Sequence, residues 1–105
     1  MQVSKEKAME IIADVFESLY RTESIESKVD VNKETVVLGP GSPLDSIGFV
    51  TFITELEDRL IDETDDDDIY LIINDIHEFN IASYTDQFLA VGVVAEFIEK
   101  LTEEL

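Results

Sequence analysis

Apolar side chains recur at intervals of three and four residues in four segments of the chain. These segments cover residues 3–20, 46–61, 66–77 and 91–105. Such spacing places the apolar side chains on one face of a helix, and no alternating pattern competes with it. Ser4 stands where the first helix needs an N-cap. The pattern therefore predicts four amphipathic helices.

The segments between the stripes predict how the helices are connected. Residues 22–38 are polar and lead into Gly39–Pro43, which contains both prolines of the chain and cannot continue a helix. Residues 80–86 form a second predicted break. We expect one domain over residues 1–105, an all-α fold and a small irregular four-helix bundle. Its first loop is long.

Two short stretches are rich enough in β-branched residues to compete as strands, Val36–Leu38 and Ile69–Ile73. The acidic residues Asp65–Asp68 precede the second stretch and favour a helix N-terminus, so we interpret it as helix. His77 then falls near the C-terminus of the third helix, where a structural role is expected. The phenylalanines of the second helix are predicted to lie in the core.

The charge of the chain is strongly negative and unevenly distributed. Twenty-five acidic residues oppose seven basic ones, which gives −18, and −15 of this falls within residues 45–105. Phosphate backbones and anionic membrane surfaces would repel such a protein, which argues against nucleic-acid or membrane partners. The charge instead suits partner proteins with basic patches.

The remaining composition excludes several kinds of chemistry. The chain has no cysteine and one histidine, so disulfides, thiolate catalysis and most zinc sites are excluded. Its apolar runs are far shorter than the roughly 20 residues of a membrane span, and no signal peptide is visible. We expect a soluble, cytoplasmic and free-standing protein.

Metal-binding and catalytic motifs fail on spacing. The acid run Asp62–Asp68 fits no register of a calcium-binding EF-hand loop, so we predict no specific metal site and only loose binding of divalent ions. A serine hydrolase needs a glycine two residues before its nucleophile, where Leu44 stands. His77 would be the only possible base. We therefore predict that the protein is not an enzyme.

Ser46 is the leading candidate for covalent chemistry. It stands between the rigid Gly39–Pro43 loop and the second helix, where free backbone N–H groups and the helix dipole favour an anionic group. A phosphate ester would be well placed on this hydroxyl. Asp45 adds a carboxylate that could help to hold a divalent cation during phosphate transfer. The competing interpretation is that both residues only cap the helix.

The segment Leu44–Leu60 resembles the attachment segment of acyl carrier proteins. In that family an Asp-Ser-Leu sequence opens the second helix of a four-helix bundle, and acidic residues follow about three turns later. Here Asp45 and Ser46 match that opening, and Ile47 replaces the leucine. Leu56 followed by two acids matches the later part. The order of helices and the long first loop extend the resemblance to most of the chain.

The resemblance implies a function and its residues. Ser46 would carry a phosphopantetheine arm, installed from coenzyme A by a phosphopantetheinyl transferase, and acyl groups would travel on its thiol as thioesters. The protein would serve fatty-acid, polyketide or related lipid biosynthesis as a monomer, delivering its cargo to acyl-handling enzymes. Asp45 would assist the transfer. Four residues would face partner enzymes: Ile47, Thr54, Glu57 and Asp58.

The chain departs from the family at three points. Thr51 stands where an acidic residue is common, Arg59 interrupts the acidic face, and residues 65–86 are longer than the usual third-helix region. Two alternatives therefore stay open. One is an aminoacyl or peptidyl carrier with the same arm. The other is an unmodified acidic helical adaptor for a basic partner, in which Ser46 is only a cap.

Overall fold

The structure, a computed structural model, describes residues 2–66, 69 and 73–103. Its helices and strands follow one another along the chain as α1 (Lys5–Arg21), β1 (Val36–Leu38), α2 (Ser46–Thr64), α3 (Ile73–Ser83), β2 (Leu89–Ala90) and α4 (Val91–Leu101). The predicted small all-α fold with four helices is confirmed. Within these residues, no helix combines the length and apolar character needed to cross a membrane.

Helix α1 begins and packs as its sequence predicts. The Ser4 side chain caps it by accepting a hydrogen bond from the Lys7 N–H at 3.1 Å. Its apolar stripe is buried and packs mainly against α4, and to a lesser extent against α2. Burial of this stripe is what holds the 17-residue helix in place, since most helical stability in proteins comes from the packing of an amphipathic face.

The core is centred on aromatic contacts between α1 and α2. The Phe52 ring is fully buried, and its centroid lies 5.2 Å from that of Phe16 and 6.4 Å from that of Phe49. Tilted and offset contacts of this kind are favourable geometries for aromatic rings. The prediction that the phenylalanines of the second helix belong to the core is confirmed.

A short strand pair joins the long first loop to the segment just before α4, and the sequence predicts no such pairing, although it marks Val36–Leu38 as a possible strand. Strand β1 pairs antiparallel with β2, with Val36 opposite Ala90 and Leu38 opposite Leu89. Gly39 ends β1 with a φ of +118°, and a Cβ there would lie 3.0 Å from the Phe88 Cβ. The absence of a side chain at Gly39 thus permits the close approach of the two segments.

The third helix differs from its prediction. Helix α3 runs from Ile73 to Ser83, whereas the expected helix covers residues 66–77 and the expected break covers residues 80–86. Residues 67, 68 and 70–72 of that expectation lie outside the described residues. His77 is exposed in the middle of α3, so its expected position near a helix C-terminus is wrong.

Asn80 accounts for the later end of α3. Its backbone carbonyl accepts hydrogen bonds from the N–H groups of Tyr84 and Thr85 at 2.8 and 3.0 Å, so the helix ends after Asn80, not at it. Its side-chain Nδ2 donates to the Phe88 carbonyl at 2.7 Å. Tyr84, the first residue after α3, donates a hydrogen bond to the Glu96 carboxylate. That hydrogen bond raises the pKa of the tyrosine hydroxyl above its ordinary value of 10.0.

The first and last helices are joined close to the two ends of the chain. The Val3 N–H donates to Thr102 Oγ1 at 2.8 Å, and both residues are buried. The Lys5 N–H donates to Glu99 Oε2, also at 2.8 Å. These bonds fix the start of α1 against the last turn of α4, and the second of them satisfies an amide group that the first turn of a helix leaves without an internal partner.

Candidate functional site

Ser42 holds the loop before α2 in place, a role that is not predicted from the sequence. Ser42 Oγ donates to the Val37 carbonyl at 2.8 Å and accepts from the Leu44 N–H at 3.0 Å. Leu44 is buried against the core, whereas Gly41 turns the chain with a φ of +88°. The segment that delivers Ser46 is therefore anchored on both sides, which gives the following helix a defined start.

Asp45 is the N-cap of α2. Its backbone is extended, and its Oδ1 accepts a hydrogen bond from the Gly48 N–H at 2.6 Å. A Cβ on Gly48 would lie 3.0 Å from that oxygen, so glycine suits this cap. Asp45 is exposed, and the capping hydrogen bond uses only one of its two carboxylate oxygens. The other oxygen remains available to a divalent cation.

Ser46 is the first residue of α2 and not its cap. The residue is exposed, and its hydroxyl has no hydrogen-bond partner among the described residues. The interpretation of Ser46 as a capping residue is therefore wrong, because Asp45 alone performs that role. An unengaged hydroxyl at the positive end of a 19-residue helix is chemically accessible, and an anionic ester on it would be stabilised by the helix dipole.

The exposed face of α2 next to Ser46 begins with apolar residues and ends with acids. Ile47 is 78% exposed and Val50 is 54% exposed. Thr54 and Asp58 continue this face at helical spacing and are also exposed, and Glu57 is half-buried at its border. The structure thus brings all four predicted partner-facing residues to the region of α2 beyond Ser46.

Two features of this face differ from what the sequence indicates. The Thr54 hydroxyl donates to the Val50 carbonyl at 2.9 Å, so its hydrogen is already used within the helix. Val50 extends the apolar patch of Ile47 and is not among the partner-facing residues predicted from the sequence. Its signal is present in the pattern, because Val50 lies outside the buried stripe formed by Phe49, Phe52 and the apolar residues that follow.

The acidic end of α2 contains no preformed metal centre. Across residues 2–66, 69 and 73–103, no three acidic or histidine side chains converge to hold a metal ion. The last turn of α2 contains acids and no basic residue, and Asp65 ends the helix with a φ of +55°. Acids at a helix C-terminus oppose the helix dipole, so this end of α2 would gain stability from screening cations.

Comparison with known proteins finds no relative. No family model, no curated protein and no solved structure matches the chain.

Proposed function

We propose that this protein carries acyl groups as thioesters on a phosphopantetheine arm attached to Ser46. The observation that carries the proposal is the exposed Ser46 hydroxyl, which the helix does not need as a cap because Asp45 supplies it. The residues fit the arm. An accessible hydroxyl can form the phosphodiester, and the positive end of the α2 dipole stabilises its negative charge.

Loading would follow from the chemistry of Ser46. Its Oγ attacks the phosphorus of coenzyme A that bears the pantetheine, and the new P–O bond replaces the bond to the adenosine bisphosphate, which leaves. The hydroxyl proton passes to a base of the transferase. Asp45, with one oxygen bound to the Gly48 N–H, would offer its other oxygen to a divalent cation that neutralises the phosphate charge. The arm then supplies the thiol that holds the acyl group.

The surface beyond Ser46 supports delivery to several partners. Ile47 and Val50 offer an apolar contact surface beside the attachment point. Thr54 and Asp58 continue this exposed face along α2, in a chain that is strongly acidic as a whole. Long-range attraction to basic patches accelerates encounters without requiring tight binding, which suits a protein that must leave each partner again. We place this activity in the cytoplasm, where coenzyme A and transferases are available.

The decisive experiment is the intact mass after incubation with coenzyme A, magnesium and a promiscuous phosphopantetheinyl transferase. The natural chain should gain one phosphopantetheine, and Ser46→Ala should gain none while remaining folded by circular dichroism. Ser27→Ala removes another exposed hydroxyl and should load normally. No mass gain on the natural chain with two different transferases would reject the carrier function in favour of an unmodified acidic adaptor.

Charge reversal on the proposed docking face should slow loading. Asp58→Lys is expected to reduce the loading rate at low salt by about fivefold, and the deficit should shrink as ionic strength rises. Asp14→Lys changes the net charge equally on an exposed position of α1 and serves as the matched control. Equal rates for the two variants at low salt would remove Asp58 from the recognition surface.

A further inference from the structure

A second candidate site lies away from Ser46, where β1, β2 and the end of α3 meet the start of α4. It is an open groove of about 550 Å³, within the range of small-molecule pockets, and no residue of α2 lines it. Most of its walls are apolar. The apolar lining residues are Val36, Phe88, Ala90 and Val93.

The charged residues that line the groove have a positive net charge, whereas the chain as a whole is strongly negative. Lys5 and Lys33 line it together with one acid, Glu34, which gives a net charge of +1 in a chain whose net charge is −18. Neither lysine forms an ion pair with a described residue. Two of the seven basic residues of the chain thus stand at one groove without an ion pair between their ammonium groups and a described residue, although the carboxylates of Glu99 and Glu96 bond to the Lys5 N–H and the Tyr84 hydroxyl.

The position of Lys33 is fixed by backbone contacts with α4. The Gly92 N–H donates to the Lys33 carbonyl at 2.9 Å, and the Val91 N–H donates to the Thr35 carbonyl at 2.8 Å. A Cβ on Gly92 would lie only 2.9 Å from the Lys33 Cβ, so glycine is what allows this approach. The α4 N-cap, Ala90, makes no side-chain capping bond, and the positive end of the α4 dipole adds to the field here.

Asn80, one of the lining residues, has a side-chain oxygen without a hydrogen bond to any described residue. The residue is 3% exposed, and its Nδ2 is bound to the Phe88 carbonyl. Its Oδ1 is buried without a hydrogen-bond partner among the described residues. Buried acceptors of this kind cost stability, so an O–H or N–H group that reaches Asn80 from the groove would be favoured over a purely apolar one.

We propose that this groove binds a small organic carboxylate with an apolar body and an O–H or N–H donor at its far end. The apolar body packs on Phe88 and Val93, the carboxylate lies near Lys5 and Lys33, and the donor is matched to the unpaired Oδ1 of Asn80. This binding is non-covalent and does not depend on Ser46.

The first test is an NMR titration of the full chain with para-hydroxyphenylpropanoate, a probe that has all three features. We expect saturable binding with a Kd on the order of 1 mM, as befits a probe of about twelve heavy atoms. The largest shift changes should occur at the amides of Val36, Asn80, Phe88 and Val93. The absence of saturable changes, or their concentration elsewhere in the chain, would overturn the proposal.

Two matched probes separate the two polar contacts without altering the protein. The neutral propanamide analogue lacks the negative charge, and the para-methyl analogue lacks the donor. Each should bind at least about fivefold more weakly than the parent probe, since each loses one polar contact. Equal affinity of the amide would overturn the requirement for a carboxylate, and equal affinity of the methyl analogue would overturn the contact with Asn80.

Protein variants test whether the lysines of the groove are responsible. Lys5→Met combined with Lys33→Met should weaken binding about tenfold at low salt. The control pair, Lys28→Met with Arg59→Met, changes the net charge equally and should retain the Kd within about a factor of two. Equal losses in both pairs would overturn the assignment to this groove. Ser46→Ala should bind the probe unchanged, so this site and the carrier function fail or survive separately.

Discussion

Phe52→Ala is expected to lower the free energy of unfolding by about 3–5 kcal/mol, the largest effect of any single substitution we predict. The ring is fully buried between α1 and α2, and it packs against Phe16 at 5.2 Å and Phe49 at 6.4 Å between ring centroids. Truncation removes this burial and leaves a cavity that neighbours anchored in two helices cannot close. The decrease should be measured by urea denaturation, followed by far-ultraviolet circular dichroism.

Val50→Ala is the matched control for that substitution. Val50 lies on the same helix two residues earlier but is 54% exposed, so its truncation should change the free energy of unfolding by less than about 0.5 kcal/mol. A loss below about 1 kcal/mol for Phe52→Ala would contradict its position at the centre of the core.

Thr102→Val is expected to cost about 2 kcal/mol although it preserves the shape of a fully buried side chain. The hydroxyl accepts from the Val3 N–H at 2.8 Å and donates to the Ile98 carbonyl, also at 2.8 Å. Valine cannot accept a hydrogen bond, so the buried Val3 amide would be left without a partner. Hydrogen exchange should show faster exchange of that amide than in the natural chain.

Thr102→Ser retains the hydroxyl and loses only one methyl group, which should cost about 0.8 kcal/mol. The valine variant should therefore be the less stable of the two. If serine proved as costly as valine, packing of the methyl group would explain the effect, and the hydrogen bond to Val3 would not.

Sequence patterns were sufficient to predict those helices whose caps, apolar stripes and flanking helix breakers lie close together in the sequence. Helix α1 combines an apolar stripe with a capping serine, and α2 starts at Ser46 as predicted, because the preceding prolines and glycines cannot continue a helix. The pairing of Val36–Leu38 with Leu89–Ala90 could not be derived in the same way. Strands of three and two residues show no periodicity, and their pairing depends on segments distant along the chain.

The later end of α3 has a similar explanation. Asparagine is a poor helix former by itself, and this predicts a break at Asn80. In the folded chain its amide donates to the Phe88 carbonyl and the residue is buried, so a tertiary contact overrides the local preference.

The candidate site was located by its sequence, but the roles of its two central residues were not separated. Asp45 and Ser46 are both good capping residues, and only the backbone shows that Asp45 is extended and bonds to Gly48, which leaves Ser46 unengaged. The groove at Lys5 and Lys33 has no local signal at all. Its walls come from four separate parts of the chain, which only the fold brings together.

The packing of α1 mainly against α4 has a consequence for synthesis on the ribosome. Helix α1 is made before the other helices, yet α4, with which it packs most extensively, begins only at Val91. While the intervening residues are translated, that face remains without its main cover, and the core cannot be completed until α4 has been made. During this interval the nascent chain exposes apolar surface on which chaperones can act, and a ribosome that stalls before Val91 would release a product unable to close its core.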